Sequence, residues 1–315
     1  MPTVLVLTER FDPTADEVID VLNRRGVPLV RVDLNEMQVA AELDDARWVG
    51  ELRSPTHQTR LEDLCGIYYR RPSLPAAGPA VPSEMAEWVE AEVRWGLRGL
   101  LAALPHARWI NWPPGVHAAE HKPWQLAMAA DAGLAVPATM VTNMPEAAAS
   151  FAASAAPVVY KAFRGKPVTI DGQQRLVYAT AVSAADCASP SIRVAPITLQ
   201  SRVDKAYDVR VTCVDDELFA ISPRWHDGTI PLDWRVDHAA NTWHQVEVPA
   251  LVAARLRLYL HELRLRYAAC DFSVDHDGQW FFLDLNPAGQ WAWASPVRDA
   301  ITEALADALT KEATP

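Results

Sequence analysis

The chain has 315 residues, half of them apolar and 22% charged, with a formal net charge of −11; it can bury a substantial core and is long enough for about two or three domains. That acidity argues against a general nucleic-acid or anionic-membrane surface, because both need a basic face, and confines any anionic ligand to local clusters of Arg and Lys. Four scattered cysteines without a C-x-x-C pair, no basic leader and no apolar run of the roughly 18 residues that span a membrane argue against a disulfide framework, a zinc site and a membrane segment, so a reduced, cytoplasmic, soluble protein is expected.

The stretches VLVLTE, TADEVIDVLNRRG and VPLVRVDL read in order as strand, helix and strand. Thr14 with Glu17 has capping-box spacing, Val18, Val21 and Leu22 share one helical face, and Gly26 can end the helix, so the fold opens on a βαβ unit and is α/β. GIYYRRP at 66–72 reads as a short strand, and a Pro/Ala/Gly-rich connection leads to a helix over about 83–104. INWPPG at 110–115 reads as a turn that closes this region. Beyond it come a helix over about 117–132, VPATMVT, an Ala-rich helix, the strand PVVYKAF and a loop bracketed by Gly165 and Gly172. From ITLQSRV onward, YDVRVTCV and ELFAIS read as strands joined by a tight turn at Asp215 and Asp216. The helix over about 249–266 puts Val252, Leu256, Tyr259, Leu260 and Leu263 on one face.

The segment ACDFSVDHDGQWFFLDLN holds two strand-like runs around Asp277-Gly278, the signal for a two-residue type I′ hairpin. With His276 facing Gln279, Val274 pairs with Phe281, Phe272 with Leu283 and Cys270 with Leu285 on one apolar face. The other face sets Asp271 against Asp284, with Asn286 one step further. Facing carboxylates repel, so a cation belongs between them. The readings are a hard divalent ion such as Mg²⁺, which takes oxygen ligands from carboxylates and phosphates, ion pairs with Arg or Lys, or a register slip that separates the two aspartates.

This order of features resembles the ATP-grasp fold, and the segments YYRRP, YKAF, LQSRVDKAYDVRV, LDWR and FLDLNPAGQW together resemble the branch of ATP-grasp enzymes that macrocyclises ribosomal peptides, the microviridin-type or graspetide maturases. The resemblance implies an N-terminal pre-ATP-grasp α/β domain over 1–112, a central subdomain over 113–199 and a C-terminal ATP-grasp subdomain over 200–315. It implies that Asp271, Asp284 and Asn286 hold Mg²⁺ on ATP, that Lys122 and Lys161 meet the phosphates, and that Gln200, Ser201 and Arg202 line the adenine. Asp208 and Arg210 form a D-x-R element at the nucleotide, with Arg210 at the γ-phosphate or the activated carboxylate and Arg235 a second candidate for that anionic centre. Asp284 departs from the Glu more usual in the family, and Ser222-Pro223 is a further departure. Arg70, Arg71 and Arg224 would supply a basic rim for an acidic core peptide whose leader docks elsewhere on the enzyme, and the family often works as a homodimer.

The activity implied is ATP-dependent joining of Asp or Glu side chains to Ser/Thr hydroxyls or Lys amines of a precursor peptide through an acyl phosphate. The absence of a Ser/His/Asp or Cys/His set accords with this, since phosphoryl transfer needs positioned charge and no protein nucleophile. Two alternatives stand beside it: a stand-alone carboxylate–amine ligase acting on an amino acid or peptide terminus, and a non-catalytic peptide-binding protein with a decayed nucleotide site.

Overall fold

The computed structural model describes residues 1–311 except 105, 166, 167 and 237–240. The opening βαβ unit belongs to a parallel sheet ordered Leu29–Val32, Thr3–Thr8, Leu64–Arg71, Arg108–Ile110. Every residue of Thr3–Thr8 is buried, as a strand covered on both faces requires. The helix Pro13–Arg24 buries Val18, Val21 and Leu22, but the expected Thr14/Glu17 capping box does not form. Pro13 takes the first helical position, which moves the cap back to Asp12; its Oδ1 accepts from the N–H groups of Thr14 and Ala15 at 3.1 and 3.3 Å. Thr14 is thereby freed to donate to Gln290 Oε1 at 2.6 Å.

INWPPG is not a turn. Pro113 and Pro114 begin a helix, Pro113–Ala119, and a second helix, Lys122–Asp131, follows, so the single helix expected over 117–132 is two, with Pro123 restarting the second. An antiparallel meander, Gln38–Asp44, Arg47–Arg53 and Gln58–Arg60, was not legible. Its first turn places both Asp45 and Ala46 at positive φ, 41° and 63°, the type I′ shape in a sequence, Asp-Ala, that seldom signals it.

The middle of the chain forms an antiparallel sheet ordered Thr180–Val182, Val158–Lys161, Ile197–Ser201, Thr139–Thr142. The glycine-bracketed loop holds a hairpin, Val168–Ile170 with Gln173–Arg175. The largest sheet is antiparallel throughout, in the order Asn241–Gln245, Glu217–Trp225, Lys205–Val214, Tyr267–Asp275, Trp280–Asn286. The helix Ala250–Glu262, shorter than expected, packs Leu256, Tyr259 and Leu260 against it, with the Tyr259 ring edge-on to Phe282 at 5.3 Å. Val252 of the expected face is half-buried.

The last helix, Arg298–Thr310, returns to the parallel sheet and buries Ile301, Leu305 and Leu309 in one core with Val4, Val6 and Val18, as well as Val214 and Ile221 of the large sheet. A Cβ on Gly66 would collide with the Leu309 carbonyl. Gly66→Ala is therefore expected to lower stability by about 3 kcal/mol, read as a lower urea midpoint; an unchanged midpoint would contradict this packing. The four cysteines are free thiols. Among the described residues no helix is long and apolar enough to cross a membrane.

Candidate active site

The hairpin brings Asp271 and Asp284 opposite each other, though not by the expected register. The turn is one residue longer than a type I′ turn. Gly278 at φ 81° donates to Asp275 O, and Asp275 N–H donates to Gln279 O, so Val274 faces Trp280 and Phe272 faces Phe282. A bulge at Leu283 then restores the count, so that Asp271 faces Asp284 and Cys270 faces Leu285. Trp280, Phe282 and Leu285 are the buried face, in place of the expected Phe281, Leu283 and Leu285. Leu283 instead lines a cleft beside Asp284.

That cleft, about 110 Å³, is also lined by Lys122, Lys161, Arg235, Asp208 and Asp271, among others. The lysines come from the first turn of Lys122–Asp131 and the end of Val158–Lys161, and Asp208 from Lys205–Val214. Its carboxylates are paired. Arg210 Nη1 donates to both Asp271 oxygens at 2.9 and 3.2 Å, and Lys122 Nζ donates to Asp284. Lys205 Nζ donates to Asp208 Oδ2 at 2.5 Å while Ser273 donates to Asp208 Oδ1 at 2.6 Å, and Arg235 grips Asp233 through two nitrogens at 2.8 and 2.6 Å. The facing carboxylates are thus compensated by ion pairs, one of the readings of the sequence.

Lys161, half-buried at the end of its strand, has no ion-pair partner among the described residues. Burial pulls its ammonium down to about 8, only partly opposed by Asp284 and further depressed by Lys122. Asp271 is held above the ordinary carboxylate range by burial, which Arg210 only partly offsets, and then by Asp284. Asp208 is likewise raised by burial against the pull of Lys205. Burial would raise Asp233 too, but the hydrogen bond from Arg235 brings it below its usual value, and that bond in turn raises Arg235.

Arg210 lies between elements. Its guanidinium carbon stands 5.4 Å from the ring of Trp234 and 5.9 Å from that of Trp293, and a Cβ on Gly289 would lie 2.9 Å from its Nη2. A wider groove of about 640 Å³ runs along the large sheet, lined by Tyr207, Arg224, Ile230 and His244, and shares Asp208 with the cleft.

The other expected residues lie elsewhere. Gln200 is buried in the middle sheet, donating to Thr139 Oγ1 at 2.9 Å. The N–H groups of Ser201 and Arg202 donate to Ala138 O and Pro157 O, both at 2.8 Å, so these donors already belong to the sheet. Asn286 is exposed, with Oδ1 accepting from Ala288 N–H at 3.0 Å. Arg71 is exposed, whereas Arg70 is 3% exposed and donates to Ala288 O and Gln290 Oε1 at 2.5 and 3.0 Å. Arg70 is thus turned into the protein and away from any rim, a correction to its expected place. Sequence reasoning missed Lys205, Asp233 and Trp234 as members of the site. All three lie within LQSRVDKAYDVRV and LDWR, but their roles depend on contacts between distant segments.

No known protein-family description matches the chain, and no curated protein matches it in sequence. Solved structures do match. The RiPP-associated ATP-grasp ligase of Chryseobacterium gregarium, in complex with ADP and a leader and core peptide, superposes with a TM-score of 0.87 at 24% identity, over 100% of this chain and 98% of that one. The macrocyclase MdnC of Microcystis aeruginosa, bound to its precursor peptide MdnA, gives 0.82 at 24% identity over 98% and 99%. The macrocyclase MdnB of the same organism gives 0.78 at 25% identity over 99% and 100%. The chain has the ATP-grasp fold in the form found in these structures.

Proposed function

We propose that the chain is an ATP-dependent ligase that closes side-chain ester or amide rings in a ribosomally made precursor peptide. The observation that carries this reading is Lys161, an unpaired and desolvated ammonium in a cleft with two facing carboxylates. A half-buried cation without a partner is costly, and a phosphate oxygen would relieve that cost.

The donor set suits Mg²⁺. Among the described residues no cluster of three or more His, Cys, Asp or Glu has metal-holding spacing. A divalent ion would take Asp271 and Asp284, with Asn286, which lies outside the cleft lining and whose amide oxygen accepts from Ala288 N–H, as the third expected ligand, and would fill its shell from phosphate and water, the habit of Mg²⁺. Asp271, raised by burial and by Asp284, is a carboxylate that added positive charge would stabilise. Bound there, the ion would neutralise charge on the transferring phosphoryl group.

In the proposed reaction an Asp or Glu carboxylate oxygen of the peptide attacks the γ-phosphorus, ADP leaves, and an acyl phosphate forms. A Ser/Thr hydroxyl or Lys amine then attacks the acyl carbon and phosphate departs. Lys122 and Lys161 hold phosphate oxygens, Arg210 and Arg235 the charge at the reacting centre, and Asp208 supports the nucleotide side from its bond with Lys205. Gln200, with the backbone of Ser201 and Arg202, borders the adenine. The peptide runs along the groove of Arg224, with Arg71 on the outer rim drawing its acidic side chains. The three regions 1–112, 113–199 and 200–315 act as the domains of this machine, in the cytoplasm and as a homodimer.

The test is mass spectrometry of the precursor peptide encoded beside the gene, incubated with the enzyme and Mg–ATP. Loss of one water per ring is expected. Addition of a second molecule's mass would point to a stand-alone carboxylate–amine ligase, and unchanged peptide without ADP formation by folded enzyme would overturn the ligase reading.

A further inference from the structure

The loop from Pro287 to Gln290 is held by buried side chains from four other parts of the chain. Asn111 Nδ2 donates to Pro287 O at 2.9 Å, and Arg70 Nη1 to Ala288 O at 2.5 Å. The Tyr267 hydroxyl donates to Gly289 O at 2.6 Å, while Arg70 Nη2 and the Thr14 hydroxyl both donate to Gln290 Oε1 at 3.0 and 2.6 Å. Each of these four loop residues therefore has an acceptor satisfied by a donor outside the loop, and Arg70 satisfies two of them. Such a set defines one backbone position, because any shift leaves buried donors and acceptors unpaired.

What this loop touches is the reacting centre. A Cβ on Gly289 would stand 2.4 Å from Ala269 Cβ and 2.9 Å from Arg210 Nη2, Asn286 begins the loop and accepts from its Ala288 N–H, and Trp293, just beyond, lies against the Arg210 guanidinium. Arg70 itself is among the lining residues of neither the cleft nor the groove. Asp12 Oδ2, 3.8 Å from Arg70 Nε, ties the arginine back to the cap of the first helix.

We infer that Arg70 is a positioning residue that sets Arg210 and Asn286 through the loop from Pro287 to Gln290, and does not touch the peptide. The inference rests on the proposed ligase reading for its kinetic consequence. Its structural half, that the N-terminal sheet dictates where the arginine of the large sheet stands, is independent of it.

Arg70→Met removes both donors at similar length, and Arg70→Lys keeps one. For Arg70→Met a fall in kcat of about 10²-fold is expected, the usual cost of a displacement near an ångström at a reacting centre, with KM for ATP and peptide each changed by less than about threefold. Arg70→Lys should recover part of the loss. Gln290→Met, which removes one shared acceptor and leaves Arg70 in place, should lower kcat in the same direction by about tenfold, and it serves if Arg70→Met does not fold. The near-ultraviolet circular dichroism of the tryptophan cluster, in which Trp293 stands 4.6 Å from Trp243 and 5.7 Å from Trp234, should weaken in Arg70→Met without any substrate present.

A raised peptide KM with unchanged kcat would overturn the inference in favour of direct peptide contact. Unchanged kcat per folded molecule with only a lower melting temperature would reduce Arg70 to a purely structural role and also overturn it. If wild-type enzyme forms no ring and no ADP, the ligase reading fails instead, and the dichroism still decides whether Arg70 governs the loop.

Discussion

Asp271→Asn is expected to reduce peptide-dependent ADP formation by about 10³-fold, the scale on which removal of one positioned electrostatic group acts at a reacting centre. The substitution keeps shape and one oxygen acceptor for Arg210, now 2.9 Å away, but removes the charge that would hold a divalent ion. Asp284→Asn should act in the same direction and also release Lys122 from its ion pair. Because Asp271 pairs with the buried Arg210, exchanging it for a neutral amide also lowers folding stability, so turnover is compared per folded molecule. Both variants should need more Mg²⁺ to reach half their own maximal rate. ADP release followed across a magnesium titration is the measurement; equal turnover in wild type and both variants would remove the metal assignment.

The second large effect is a pH dependence of nucleotide affinity set by Lys161. Its ammonium titrates near 8 in the folded chain, against an ordinary value of 10.5. Between these values the unfolded chain carries the proton and the folded chain does not, so this group makes stability rise with pH across that window. Below about 8 both states are charged and the fold bears the whole penalty, roughly 3 kcal/mol. A bound phosphate relieves the penalty, so ADP should bind best below about 8 and lose affinity above it by as much as tenfold per pH unit, with proton uptake on binding. Calorimetry in two buffers of different ionisation heat reads that uptake. Lys161→Arg, which stays charged, should abolish the alkaline decline, whereas Lys161→Met should bind weakly at every pH. A pH-independent affinity for wild type would refute the role.

Much of the architecture was legible because the chain states it locally: the buried strand VLVLTE, the amphipathic first helix and the antiparallel strands around the Asp215 turn. The facing of Asp271 and Asp284 was also legible, but for an incomplete reason. An extra residue in the turn and an extra residue at Leu283 cancel, and alternation of side chains records neither. The meander over 38–60 escaped because its turn residues are not the customary ones. Arg70 was misplaced since nothing in YYRRP announces a partner some 220 residues away in Ala288 and Gln290. Lys161 as an unpaired cation was equally invisible, because the lack of a partner is a property of the assembled cleft.

The ion pairs of the cleft give the proposed reading a further consequence, an exchange of partners. Asp271 and Asp284 hold Arg210 and Lys122, and a magnesium nucleotide would bring both signs of charge to these four side chains. Under the proposed reading Asp271 and Asp284 would turn to the ion, and Arg210 and Lys122 would turn to the phosphates. Opposite charges change places within one small volume and few counterions are released to solvent, so nucleotide binding by this protein should vary little with salt, unlike binding at an open basic surface.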